Sequence, residues 1–401
     1  MTQPAGAGPA SRAERGLTRW RAALLVTATM VFALAFARLA TRAPAPGFLA
    51  APPATNPVRS GEAPDYRIYP VSHGRTPFAH SVAAVDLPGH GPLAFWYAGT
   101  REGASDSVIY ASAFDAASNS WGAERIVVGR EALERAVQRS IRKIGNPTVL
   151  RDEEGRLWLF FVSASVGGWA GSAINLTRSG DGGQHWEAPR RLITSPFLNL
   201  STLVKGAPVL YVDGSIGLPV YHEFIGKFGE LLRVSRDGRV LAKRRLDWGK
   251  ASLQPVVLPR SETEAVAFMR YAGKPPGRVL VLRTADAGHT WSEPARSALP
   301  NPNSGIDALR LDDGGLLLAF NNREASRDNL SLAHSRDEGN SWRVIHAVED
   351  VPANTSANPV EFSYPWLLRT EDRAIHLLYT VDKKSIRHLR FNRAWLRERL
   401  R

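Results

Sequence analysis

The chain has 401 residues, 44% of them hydrophobic, enough to bury a large core in one sizeable domain. It contains no cysteine, which excludes disulfides and thiolate metal sites. The net charge of +13, from 51 Lys and Arg against 38 Asp and Glu, is spread along the chain and partly held in its two ends, so it does not describe a nucleic-acid-binding face.

Residues 1–41 read as a signal peptide or signal anchor. Arg12, Arg15, Arg19 and Arg21 precede an apolar run from Ala22 to Ala37, and Arg38 follows. The run is shorter than the ~20 residues of a comfortable membrane-spanning helix. Ala35-Phe36-Ala37 also offers a small-residue cleavage site, so cleaved export and an uncleaved inner-membrane anchor both stay open. Either way the remainder is expected outside the cytoplasm, since basic residues stay inside. A chain without cysteine suits a bacterial periplasm. Residues 42–65, rich in Pro and Ala, read as an extended linker.

From residue 66 onward the texture is all-β: apolar runs of four to eight residues between turn residues, as in Leu93-Ala-Phe-Trp-Tyr97 and Leu157-Trp-Leu-Phe-Phe-Val162. The exception is 130–144, where Ala132, Leu133, Ala136, Val137, Ile141 and Ile144 recur at helical spacing and predict one short helix, placed to overhang a pocket rim. Three copies of one turn follow: Ser179-x-Asp181-x-Gly183-x-x-Trp186, Thr284-x-Asp286-x-Gly288-x-Thr290-Trp291 and Ser335-x-Asp337-x-Gly339-x-Ser341-Trp342. In each, the hydroxyl and carboxylate can bond nearby backbone N–H groups, Gly supplies a positive φ, and Trp packs under the turn. Degenerate copies at Asp115 with Trp121 and at Ser235-Arg236-Asp237-Gly238 extend the repeat, with steps of 49 to 66 residues. Periods near 50 are those of four-stranded propeller blades. Such a ring must close, and either 66–69 or 386–391, pairing alongside the opposite terminus, would leave no free edge. Residues 394–401 form a basic tail.

The repeated turn is the Asp box, and over 66–393 the chain resembles the sialidase-like, six-bladed β-propeller superfamily of bacterial neuraminidase repeat proteins. The resemblance implies a retaining glycoside hydrolase with a tyrosine nucleophile. It places an acid/base Asp on a first-blade loop, where Asp106 falls five residues after Arg101, and the nucleophile at Tyr364. Its second and third carboxylate-binding arginine stations fall on Arg270 and Arg327. The first station holds His80, which offers a single donor and a pH-dependent charge where arginine offers a fork; Arg75 is near enough in sequence to compensate. The family's tyrosine-activating glutamate is replaced by Gln254, which cannot take a proton, so Glu361 or Glu223 would have to serve. Each residue type also has a plainer role: a loop Asp caps turns, a strand-end Arg is solvated, and a buried Tyr packs with its hydroxyl satisfied.

Glu102, Asn146, Lys205, His222, Asn301 and Asn303 are further polar residues at strand ends, suited to lining a sugar pocket. No metal-ligand spacing, phosphate loop or dinucleotide fingerprint is present, and neither a cofactor nor a metal is expected. The resulting expectation is an exported monomer, periplasmic or anchored to the inner membrane, that cleaves a terminal sialic-acid-like or uronate sugar from a glycan. Two alternatives remain: a uronate polysaccharide lyase and a non-catalytic carbohydrate-binding propeller.

Overall fold

In the computed structural model the short apolar runs form, among the described residues, 26 strands in six antiparallel sheets of four or five strands. The structure describes residues 12–40, 46–50, 62–195, 199, 201–249, 251–352 and 360–401. Residues 1–11 and 41 of the expected signal segment and much of the expected linker, at 42–45 and 51–61, lie outside the described residues.

The chain divides into two compact units, Met1–Ala45 and Pro46–Arg401. In the first, Arg12–Ala40 is a single helix. Thr27 and Thr29 return their hydroxyls to carbonyls one turn back, Thr27 to Ala23 at 2.9 Å and Thr29 to Leu25 at 2.8 Å, so the apolar stretch carries both with their hydrogen bonds made. Among the described residues no helix is long and apolar enough to cross a membrane.

The second unit is a six-bladed propeller. Its blades begin with the strands Phe78–Leu87, Lys143–Arg151, Leu203–Val204, Ser252–Pro259, Asp307–Arg310 and Phe362–Arg369. These first strands touch one another from blade to blade and so line the central axis. The sixth blade is completed from the other end of the chain: Tyr66–Pro70 pairs antiparallel with Ser385–Phe391, from Tyr66 opposite Phe391 to Pro70 opposite Arg387. The expected closure is therefore the one adopted, and it leaves no sheet edge open at the seam.

The three full Asp boxes are superimposable in their bonding. The hydroxyl of Ser179, Thr284 or Ser335 donates to the carboxylate two residues on at 2.7–2.8 Å and accepts the glycine N–H at 2.8–3.0 Å. Each Trp Nε1 donates to that glycine's carbonyl, at 2.9, 3.2 and 3.1 Å. The Trp rings lie half-buried and reach the preceding blade: Trp186 meets Phe95 edge-on at 5.7 Å and Trp342 meets Phe268 at 5.4 Å. The boxes thus bind neighbouring blades together as well as turning the chain.

Three local expectations are corrected. The inserted helix is Arg130–Val137 only; Gln138 turns left-handed and Ile141 and Ile144 belong to the approach and start of the next strand. That helix packs beside Arg190–Arg191, the outermost strand of blade two, rather than at the axis. Within the expected linker, Phe48 is fully buried, stacks on Tyr211 with ring centroids 5.0 Å apart, and donates its N–H to Glu262 O at 2.7 Å. The basic tail is also docked: Arg393–Leu400 is a helix capped by Asn392, with Trp395 and Leu396 buried.

Candidate functional site

A repeated irregularity in the first strands builds the site. In four blades the strand register slips, between His80 and Ala83, Gly145 and Thr148, Leu253 and Val256, and Ser363 and Trp366. One residue in each bulge has positive φ: Ser81 at 54°, Asn146 at 43°, Gln254 at 55° and Tyr364 at 53°. Three of the four are followed by proline, which cannot join a ladder and is tolerated at bulges. Blade three places Lys205-Gly206 in the corresponding gap, four residues between Val204 and Val209 facing two between Gly217 and Val220, and blade five places Gly305 just before its strand. Non-glycine residues in this region of φ are uncommon and strained, and they cluster at functional sites.

These bulges meet at the axis. Gln254 Nε2 donates to the Tyr364 hydroxyl at 2.9 Å and lies 3.4 Å from that of Tyr221, to which Asn146 Nδ2 donates at 3.3 Å. Arg270 Nη1 donates to Gln254 Oε1 at 3.2 Å, which fixes the amide's orientation, and Arg270 Nε donates to Asn303 Oδ1 at 2.7 Å. Arg327 reaches the same asparagine, Nη2 to its carbonyl at 2.5 Å, and pairs with Glu361 at 3.0 Å. Gly305 has no side chain to fill the space beside Gln254 Oε1, Lys205 Cε and Tyr364 Cδ2. Lys205 is fully buried beneath them and donates to Ile306 O at 2.5 Å and Pro365 O at 2.7 Å. Burial lowers its pKa to about 8, while burial raises the neighbouring Asp307 to about 6.

His80 lies against the nucleophile candidate, its ring centroid 4.4 Å from that of Tyr364. It is 3% exposed and its Nδ1 has no partner among the described residues. Burial, reinforced by Lys383, Arg327 and Arg270, holds its pKa well below the usual value. Burial thus favours the neutral imidazole, which has one ring N–H to offer where a station arginine offers a fork. Arg75 does not substitute; its Nη1 donates to Glu124 O at 3.2 Å.

The structure gathers His80, Asn146, Lys205, Gln254, Arg270, Arg327, Glu361 and Tyr364 into one connected group. Glu223 stands beside it: burial raises its pKa, against the pull of Arg270 and Lys227. Three other candidates sit on the first-blade loop. Asp106 is exposed and receives the N–H and the hydroxyl of Thr100, at 3.0 and 3.1 Å, as a turn cap does. Arg101 is exposed, and Glu102 pairs with Lys383 at 3.1 Å. Tyr97, Tyr221, Asp307 and Trp169 were not legible as site residues. Trp169 lies half-buried over Gly145, edge-on to Tyr97 at 6.1 Å, with Lys143 Nζ 4.0 Å from its ring centroid.

The family description "BNR repeat-like domain" matches residues 92–377, most of the propeller. The chain belongs to the BNR repeat-like family. No curated protein matched the sequence. Among solved structures this BNR repeat-like chain is similar to a protein of unknown function from Dyadobacter fermentans, at 15% identity and TM-score 0.62 over 82% of this chain and 99% of that one. It is similar to a Hadza microbial sialidase at 17% and 0.63, over 80% and 67%. It is also similar to the intramolecular trans-sialidase of Ruminococcus gnavus at 14% and 0.61, over 80% and 96%. At such identities the likeness establishes the sialidase-like propeller fold, and the reaction must come from the site itself.

Proposed function

We infer that this BNR repeat-like propeller holds the carboxylate end of an acidic glycan in its axial pocket and cleaves the terminal sugar as a sialidase-like glycoside hydrolase. The observation that carries this reading is one continuous chain of hydrogen bonds, Arg327 to Asn303 to Arg270 to Gln254 to Tyr364, which ties two guanidiniums to one phenol. Guanidinium forks suit a carboxylate. In this reading Tyr364 Oη attacks the anomeric carbon and gives its phenolic proton to Glu361, the bond to the leaving oxygen breaks as that oxygen takes a proton from Glu223, and water then cleaves the tyrosyl-sugar bond, returning a proton to Tyr364. Glu223 is the carboxyl whose burial favours the protonated donor, whereas Asp106 is engaged by Thr100. The terminal sugar is sialic-acid-like or a uronate. The test is hydrolysis of fluorogenic aryl glycosides of N-acetylneuraminic and glucuronic acids by wild type, Tyr364→Phe, Glu223→Gln and Asp106→Asn. Turnover by wild type that collapses in Tyr364→Phe supports the reading, and no turnover of either glycoside sinks it.

One observation favours a second reading, uronate lysis. Gln254 donates to the phenol instead of taking its proton, and a neutral His80 lies against the same ring. A lyase would use such a base to remove the proton α to the carboxylate, breaking the bond to the β-oxygen and leaving an unsaturated ring that absorbs in the near ultraviolet. Export belongs to the same proposal and rests on the Arg-then-apolar N-terminus; a reporter active only outside the cytoplasm, fused after residue 65, tests it.

A further inference from the structure

On the pocket side of blade three, four side chains form one stack. His222 lies parallel to Phe228, with centroids 4.7 Å apart and planes 13° apart. The Arg245 guanidinium covers the Phe228 ring at 3.4 Å and is covered in turn by Trp248 at 4.5 Å. These residues stand where His222 ends the second strand, Phe228 begins the third, Arg245 ends the fourth and Trp248 follows it. His222 also adjoins Tyr221, which bonds into the site, and Glu223 beside Arg270. The stack therefore runs outward from the pocket.

Two independent features of this stack lack any internal use. Trp248 is 77% exposed, although Asp247 fixes its loop by accepting from Gly249 N at 2.6 Å and Ser252 Oγ at 2.5 Å. The Arg245 side chain makes no hydrogen bond or ion pair among the described residues, and its Nε is buried without a partner. Glu230, opposite Arg245 in register, pairs instead with Lys243 at 3.0 Å. A guanidinium immobilised between two rings keeps its donors free and has already lost the freedom that binding would cost.

We propose that Trp248 and Arg245 form a second carbohydrate subsite, which takes an inner, acid-bearing unit of the same polymer whose end occupies the axial pocket. The indole supplies a flat apolar face for a sugar ring, and the guanidinium pairs with that unit's carboxylate or sulfate. This deepens the acidic-glycan reading and rests on it.

The experiment is calorimetric titration of the full chain with polygalacturonate oligomers, free galacturonate and, as a neutral control, dextran. Trp248→Ala and Arg245→Lys are expected to weaken oligomer binding about tenfold or more while leaving free galacturonate unaffected. Arg270→Ala is expected to weaken binding of the monomer about thirtyfold. Oligomer affinity unchanged in both blade-three variants, or wild type that binds dextran as well as polygalacturonate, overturns the subsite. If monomer binding depends on Arg270 in that case, the pocket reading survives; if wild type binds neither acid, both fall.

Discussion

Gln254 donates a hydrogen bond to Tyr364, and the direction of that bond decides what the phenol can do. With Oε1 held by Arg270 Nη1, the amide presents only its NH₂ to the hydroxyl. A carboxylate at the same place would accept the phenolic proton. Gln254→Glu is accordingly expected to raise hydrolysis of an activated acidic aryl glycoside by about a hundredfold, the low end of what a positioned base contributes. Kinetics on purified variant and wild type check this; a Glu variant slower than wild type removes Tyr364 from the nucleophile's role and favours lysis.

Asn303 couples the two arginines, through its side chain to one and its carbonyl to the other. Arg270→Ala and Arg327→Ala should each weaken binding of an acidic monosaccharide by about 2 kcal/mol, in the range for hydrogen bonds to charged groups. Asn303→Ala should cost less, since it leaves both charges in place. Titration with glucuronate measures all three, and equal affinity across the set would mean that the carboxylate is held elsewhere.

Buried histidines predict acid lability. Trp121 Nε1 donates to His388 Nδ1 at 3.2 Å, so His388 carries its proton on Nε2 and donates it to His376 Nδ1 at 2.8 Å; His376 Nε2 in turn meets Thr370 Oγ1 at 3.1 Å. Both rings are neutral in this chain. Burial lowers His376 to about 3 and His388 and His80 well below the usual value. The unfolded chain then binds protons first as pH falls, so stability is complete above about 6.5 and declines below it, by up to about 1.4 kcal/mol per pH unit for each group. Asp307, raised to about 6, acts in the opposite sense below that value. Melting temperature should fall between pH 7 and pH 5, with a shallower slope in His376→Gln; a flat profile would contradict the assignment of neutral rings.

The Asp-box tryptophans should matter at blade junctions. Trp342→Ala removes a half-buried ring and its contact with Phe268, and should cost about 2 kcal/mol, less than the 3–5 typical of a fully buried aromatic. Denaturant midpoints give the value. A loss below about 0.5 kcal/mol would show that the turn alone holds the junction.

The ring was legible in the sequence because Asp115, Asp181, Asp237, Asp286 and Asp337 each mark a local turn whose chemistry needs no tertiary partner. The bulges were less legible. Asn146-Pro147, Gln254-Pro255 and Tyr364-Pro365 are an X-Pro signal inside apolar strands, and reading them together would have marked three of the pocket positions at once. Asp106 is the converse case, since its spacing from Arg101 was legible and Thr100 folding back onto it was not. The neutrality of His80 depends on burial and on Lys383, more than 300 positions away, and no local pattern carries that.

The seam between Tyr66–Pro70 and Ser385–Phe391 also sets the order in which the molecule can be finished. Asp65 N–H bonds to Asn392 across a separation of 327 residues, so the strand synthesised first waits for the one synthesised last. Five blades can assemble from neighbouring segments while the sixth keeps an exposed edge until the chain is whole. Pairing across so long a span carries a loop-closure cost that pairing of adjacent strands does not, and removal of either strand of the seam leaves an open ring rather than a smaller closed one.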